Sequence, residues 1–447
     1  MFAMSVSNFV MIPSSLTLYR AYIINPISFN EVEACQDGGL VIDDYGQIYD
    51  IGEFKQFESS QYVFAKIYDW RDKVIIPGFI DLHVHLPQIN IVGLCGKNLL
   101  DWLETYTFKA EAKMRDLHYA QNITNYFYDE LLKNGTTCAL VFSSSHYEAT
   151  RQAFNIAKAR QMRIIMGQVL MDINAPADLI NPVRQSLNES CKLSEAFHGA
   201  NDNLLQYAFT PRFAITSSAA LLKETGKLYQ ESKTCYLQTH LAESINEINF
   251  VKQLFPHNSS YTDIYDSNML LGKRSVFAHA IHLDDYELDT LKQSQSSLAH
   301  CPSSNFFLKS GTFAFKKIQA LNLAFGLGSD IAGGPDISIA NTMKDAYYAQ
   351  MNEFISPVEL FYLATLAGAQ ALSLEQQIGS FAALKHADFL VLRNNLQPDI
   401  SEKLHNMSPE EILSKLIFTK NSFSVEKTFV RGQCLYDKTN KKSQYVL

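Results

Sequence analysis

No two of the seven cysteines, Cys35, Cys95, Cys138, Cys191, Cys235, Cys301 and Cys434, stand at CxxC spacing. A dispersed, odd-numbered set of thiols argues against a disulfide framework and for a reducing, cytoplasmic setting. No apolar run reaches 18 residues, so no membrane span is expected. The stretch Met1–Ile12 is apolar in part but lacks a basic n-region and a small-residue cleavage site, which argues against a secretory leader. Positive charge is also in deficit, with Lys+Arg 38 against Asp+Glu 46 and a net charge of −8. Broad phosphate neutralisation is therefore excluded, and with it a nucleic-acid polymer as partner. Low-complexity segments and short-period repeats are missing. With 47% hydrophobic and 19% charged residues, this excludes a disordered chain, a collagen-like repeat and a coiled-coil rod.

What is present is a chain of 447 residues, long enough for one large α/β barrel and a smaller appendage. From Leu16 to Tyr68 the pattern is short and strand-like. Leu16–Tyr19, Gly39–Ile42 and Gln47–Ile51 are separated by turn formers, and Asp43-Asp44-Tyr45-Gly46 reads as a hairpin turn. From Val74 to Asp81 the residues read as one buried strand leading to His83 and His85. Apolar strands then alternate with helical stretches: Thr136–Phe142, Arg163–Val169, Leu204–Thr210, Cys235–His240, Ser275–His279, Ser297–His300 and Ala324–Gly328. Between the first two strands lies Asp116–Asn134, where Ile123, Phe127 and Leu131 recur every four residues and Gly135 supplies the stop. Eight strands in repeated βα units predict an α/β fold, a (β/α)8 TIM-type barrel over residues 73–384. Ala387–Leu392 and Thr428–Gln433 read as short strands around a turn-rich insert. The N-terminal segment 1–72 and the C-terminal segment 385–447 are therefore expected to form one small β-sandwich domain.

In such a barrel the active site lies at the C-terminal ends of the strands. His83 and His85 follow the first strand, and residues i and i+2 on a strand point the same way, so both imidazoles can meet one metal. His240 ends the fifth strand, His279 the sixth, and Asp330 follows the eighth. Each alone has a bland explanation, but four histidines and an aspartate at one end of four strands point to a metal site. Neutral imidazoles with a carboxylate suit zinc or another borderline metal. Such a centre brings the pKa of bound water to about 7. Hydrolysis then needs a proton shuttle, and Glu243, three residues beyond His240, is the natural candidate; a carboxylate there also suits the start of a helix. His118, His146, His198, His257, His282, His386 and His405 are expected to be structural or exposed. His300, at the end of the seventh strand, could line the pocket but is expected with these to be structural or solvent-facing, and Cys301 beside it is expected to be a buried, inert thiol.

The stretch Pro77-Gly78-Phe79-Ile80-Asp81-Leu82-His83-Val84-His85 resembles the opening signature of the amidohydrolase superfamily, and His240, His279 and Asp330 match its later positions. The resemblance implies that His83, His85, His240 and Asp330 hold one divalent metal ion per chain, Zn2+ or Fe2+, while His279 contacts bound water or substrate. Binuclear members carry a lysine on the fourth strand; Gln206–Thr210 offers none.

Within the superfamily the sequence is most similar to the guanine deaminase family. Pro87-Gln88, Leu100–Phe108 with Glu111, Thr210-Pro211-Arg212-Phe213, His300–Asn305 and Gly328–Gly334 carry that likeness. Lys109, where proline is frequent in the family, departs from it in a loop. The likeness implies guanine as substrate, xanthine and ammonia as products, a homodimer, and catalytic roles for Glu243, His279 and Asp330. It also implies substrate contacts from His85, Gln88, Arg212, Phe213, His240, Glu243 and Asp330. The chemistry of the base agrees: a forked guanidinium suits the O6 and N7 acceptors of guanine. Gln88 offers a donor and an acceptor to the remaining edge, and Phe213 either packs on the flat ring or fills core. Deaminases or chlorohydrolases of another aminopurine, a pyrimidine or a triazine, and a non-enzymatic scaffold of the same fold, are the alternatives.

Overall fold

The computed structural model describes residues 15–59, 61–395, 404–419 and 422–440. The stretch Met1–Ile12 lies outside the described residues. The chain begins with β1 (Leu16–Ser28), β2 (Glu31–Asp43), β3 (Ile48–Glu53) and β4 (Phe64–Pro77). The Asp43–Gly46 hairpin forms as expected, with Asp43 Oδ1 accepting from the backbone N–H groups of Tyr45 and Gln47. The strands are longer than the short apolar runs suggest, because β1 pairs on both flanks, antiparallel with β2 and parallel with β4.

The run Val74–Asp81 divides. Val74–Pro77 stays in β4 with the small sheet, while β5 (Phe79–His85) opens the barrel. Gly78 is the joint, where an added Cβ would lie 2.0 Å from Thr137 Oγ1. The barrel continues with β6 (Thr136–Phe142), β7 (Arg163–Gly167), β8 (Val169–Leu170), β9 (Leu205–Pro211), β10 (Tyr236–Leu241), β11 (Ser275–His279), β12 (Ser297–His300) and β13 (Phe325–Leu327). Eight of these run parallel in the order β13-β12-β11-β10-β9-β7-β6-β5, with β8 pairing beside β9, and β13 packs back against β5. The expected strand over Arg163–Val169 is thus interrupted at Gln168, whose amide Nε2 donates to the Ser145 carbonyl and to Glu189.

Local chemistry sets the helix ends. Leu117–Lys133 starts at Asp116, whose carboxylate accepts from the N–H groups of His118 and Tyr119. It stops at Gly135, whose φ of +84° suits the left-handed residue after a helix.

The chain returns to the small sheet through β14 (Phe389–Asn394), β15 (Phe423–Val430) and β16 (Gln433–Asp437). Together the two ends form one seven-stranded sheet, ordered β16-β15-β14-β4-β1-β2-β3. The segment read as a turn-rich insert carries a helix, Pro409–Phe418, with a Ser408–Glu411 capping box and buried Ile412, Leu413 and Ile417. A buried ion pair bolts barrel to sheet: Arg163 on β7 donates twice to Asp388, which also accepts from the Arg431 N–H. Its worth is positional, since a buried pair repays desolvation only through such satisfied geometry.

Candidate active site

The mouth of the barrel gathers the chemistry-bearing residues that the sequence points to. His83 and His85 come from β5, His240 from β10, His279 from the end of β11, and Asp330 from the loop after β13. All five are buried. The ligand atoms of His83, His85, His240 and Asp330 lie within 4.8 Å of one another. His85 Nε2 is 3.2 Å from both His83 Nε2 and His240 Nε2, and Asp330 Oδ1 is 3.2 Å from His83 Nε2. Phe142, the last residue of β6, floors the cluster with its ring 4.6 Å from that of His85 and 4.8 Å from that of His240.

Three observations suit one divalent cation. Burial pushes His85 and His240 well below the ordinary imidazole range, so both rings are neutral donors. Burial alone would raise Asp330, but the neighbouring imidazoles of His83, His279 and His240 outweigh it and hold the carboxylate ionised. His240 Nδ1–H donates to the Arg212 carbonyl at 2.7 Å, which bares Nε2 toward the cluster. Lone pairs converging in a dry site with no proton to share are a metal donor set.

His279 stands apart from the four. Its Nδ1–H donates to Asn305 Oδ1 at 2.9 Å, while Nε2 has no hydrogen-bond partner and lies 3.4 Å from Glu243 Oε2 and 3.7 Å from Asp330 Oδ2. Glu243 sits just before the helix Ile245–Leu254: Ser244 is its cap, and the Glu243 N–H donates to Glu247. Its carboxylate accepts from Ser310 Oγ at 2.8 Å, and burial raises its pKa to about 7. Strand-end backbone is forced into shape here. His279 has φ +69° and Asp330 φ +47°, the left-handed region that side chains with a Cβ resist. The Asp330 turn is held by its N–H donating to the His83 carbonyl and by Asp81, which accepts from the Ser329 N–H and hydroxyl.

Gln88, Arg212, Phe213, Leu99, Trp102, Leu103 and Leu308 line one pocket with His85, His240, His279, Glu243 and Asp330. Arg212 is buried, not on the surface, with Nη1 donating to both oxygens of Glu111 at 2.6 and 2.8 Å. Gln88 Nε2 donates to the same carboxylate at 2.9 Å, and Gln88 Oε1 accepts from the Ala332 N–H. Phe213 is buried, its ring edge-on to His240 at 6.1 Å. Glu111, Asn305, Ser310 and Asp81 support the site without any role legible in the sequence. His300 does not line this pocket and is not solvent-facing; it is a structural residue, buried and stacked on Phe313.

A (β/α)8 barrel with a buried cluster of three histidines and one aspartate at the C-terminal ends of its strands defines a hydrolase site of the single-divalent-metal type. The chain belongs to the amidohydrolase family, whose model matches residues 74–435. It is 38% identical to the guanine deaminase of Escherichia coli over 90% of this chain and 92% of that protein. The solved E. coli guanine deaminase superposes with a TM-score of 0.89, covering 94% of this chain and all of that one. A guanine deaminase from C. acetobutylicum with guanine bound in its active site superposes at 0.88, with 29% identity over 94% of this chain and 100% of that one.

Proposed function

We propose that the protein hydrolyses guanine to xanthine and ammonia. One observation carries the reading: His85, His240 and Asp330 of the buried cluster line a single pocket with Arg212 and Gln88, in a chain 38% identical to a guanine deaminase over most of its length. In this reading His83, His85, His240 and Asp330 hold one divalent cation, zinc or iron. A cation bound there supplies a Lewis acid that brings the pKa of water to about 7.

The remaining work belongs to side chains. Arg212 and Gln88 bind the edge of the base, Phe213 packs on its face, and His85, His240, Glu243 and Asp330 border the reacting carbon. Leu99, Trp102 and Leu103 exclude bulk water. Glu243 takes the proton of the attacking water and passes it to ring N3; its raised pKa suits a group that both accepts and returns a proton near neutrality. Asp330 takes the second proton toward the leaving ammonia, and His279 holds the attacking oxygen and stabilises the charge that develops on it. The reading extends to a cytoplasmic homodimer; among the described residues no helix is long and apolar enough to cross a membrane.

Substrate choice is tested at Arg212. A hydrogen bond to a charged group contributes about 1.5–3 kcal/mol. At roughly 1.4 kcal/mol per tenfold, Arg212→Ala is expected to lower kcat/KM for guanine about 10- to 150-fold. Metal content stays unchanged, and the loss is smaller for 2-aminopurine, which has no O6 acceptor. Equal losses on both purines would assign Arg212 to folding and leave the substrate open.

A further inference from the structure

We propose that Glu111 is a positioning residue that orients the two purine-reading side chains, Arg212 and Gln88, and so sets selectivity for a 6-oxo purine. This rests on the guanine reading above. Glu111 is 4% exposed and is not itself part of the pocket wall. Its carboxylate receives two bonds from Arg212 Nη1 and one from Gln88 Nε2. A purely structural ion pair would need only the arginine; here one acceptor-only group gathers both residues that face the base.

The consequence for Gln88 is chemical polarity. A carboxylate can only accept and a backbone N–H can only donate. With Nε2 against Glu111 and Oε1 against the Ala332 N–H, the amide of Gln88 cannot flip. One N–H of Nε2 and one lone pair of Oε1 remain for a ligand, in fixed places. For Arg212 the bonds to Glu111 use Nη1, leaving Nη2 and Nε for the base. Glu111 also balances the guanidinium charge behind the pocket wall, so a neutral base meets a neutral pair.

Local structure explains how Glu111 reaches this place. The segment runs as α-helix Leu99–Trp102, a π-helical turn Leu103–Thr107, then α-helix Phe108–Ala112. A regular α-helix returns to one face after about seven residues. The wider π turn adds one, which brings Glu111 onto the face of Leu103, eight positions earlier. The hydrogen bonds then form a continuous path: the Asp330 loop through Ala332 to Gln88, on to Glu111 and Arg212, and from the Arg212 carbonyl to His240. Recognition and the histidine cluster share one scaffold.

The test is Glu111→Gln in the metal-loaded protein, with Glu111→Asp as the conservative variant. Replacing one oxygen by an NH2 sets a donor against a donor. The loss in kcat/KM for guanine is expected at about 10- to 150-fold, chiefly in KM, with one metal per chain retained. The expected loss is smaller for 2-aminopurine, and Glu111→Asp recovers part of it. In the Glu111→Gln, Arg212→Ala double variant the loss falls well short of the product of the two single losses, because both act through one contact. Multiplicative losses, or equal losses on both purines, overturn the proposal. A crystal structure of Glu111→Gln tests it without any substrate: Arg212 and Gln88 should leave their places, and unmoved side chains refute it. Failure of the unmodified protein to turn over guanine counts against the substrate reading alone, since that structural result stands apart from it.

Discussion

Replacing His83 by alanine is expected to remove the bound metal and the activity together. His83 contributes one of four donor atoms lying within 4.8 Å of one another, and its ring is packed against those of His85 and His240. Three donors and a gap where the imidazole stood leave an open coordination position in a buried site, which neither holds a cation tightly nor excludes stray water. The strand itself should survive, because the His83 backbone keeps its bonds to Asp81 and Asp330. Metal analysis of the purified variant should find far less than one ion per chain, with turnover at background. One ion per chain with full turnover would strike His83 from the ligand set. The same analysis of the unaltered protein discriminates against a non-enzymatic scaffold, which would carry no stoichiometric metal.

Glu243→Gln is expected to lower kcat by roughly 10²–10⁴-fold with the metal retained, the range of a positioned general acid–base group. The amide keeps the shape and can still meet Ser310, but it cannot carry a proton from water to N3. The pH profile gives a second readout. Burial raises Glu243 to about 7, and a dication nearby draws that value down, so the acid limb of kcat lies at or below neutrality. Activity is present above that limb, where the carboxylate is ionised, and falls as pH drops through it. In the glutamine variant this limb should vanish from the residual rate. A variant with near-normal kcat and an unaltered limb would take Glu243 out of the proton path.

The parts of the molecule legible in the sequence are those set by local pattern. Thr136–Phe142, Ser275–His279 and Ser297–His300 form strands with the bounds their apolar runs suggest, since each run is buried throughout and ends at the barrel mouth. The histidines are legible for the same reason, as polar residues closing such runs. The break at Gly78 is not, because Val74–Asp81 is almost uniformly apolar and only long-range pairing decides that Leu392 meets Val74 while Thr136 meets Phe79. Glu111 is hidden for a related reason: its partner Arg212 is 101 positions away, and a glutamate in a helical stretch reads as a solvated charge. The helix Pro409–Phe418 does carry a local signal, serine followed three residues later by glutamate ahead of apolar residues, which a turn-rich reading of that insert passes over.

The reaction itself is the most direct test of the guanine reading. Metal-replete protein is given guanine, with adenine, cytosine and hypoxanthine in parallel, and xanthine and ammonia are measured over time. Equal amounts of xanthine and ammonia should appear from guanine, with turnover of the other three at least an order of magnitude slower. Preferential release of ammonia from adenine or cytosine, or no reaction with guanine by protein carrying one metal per chain, would contradict it.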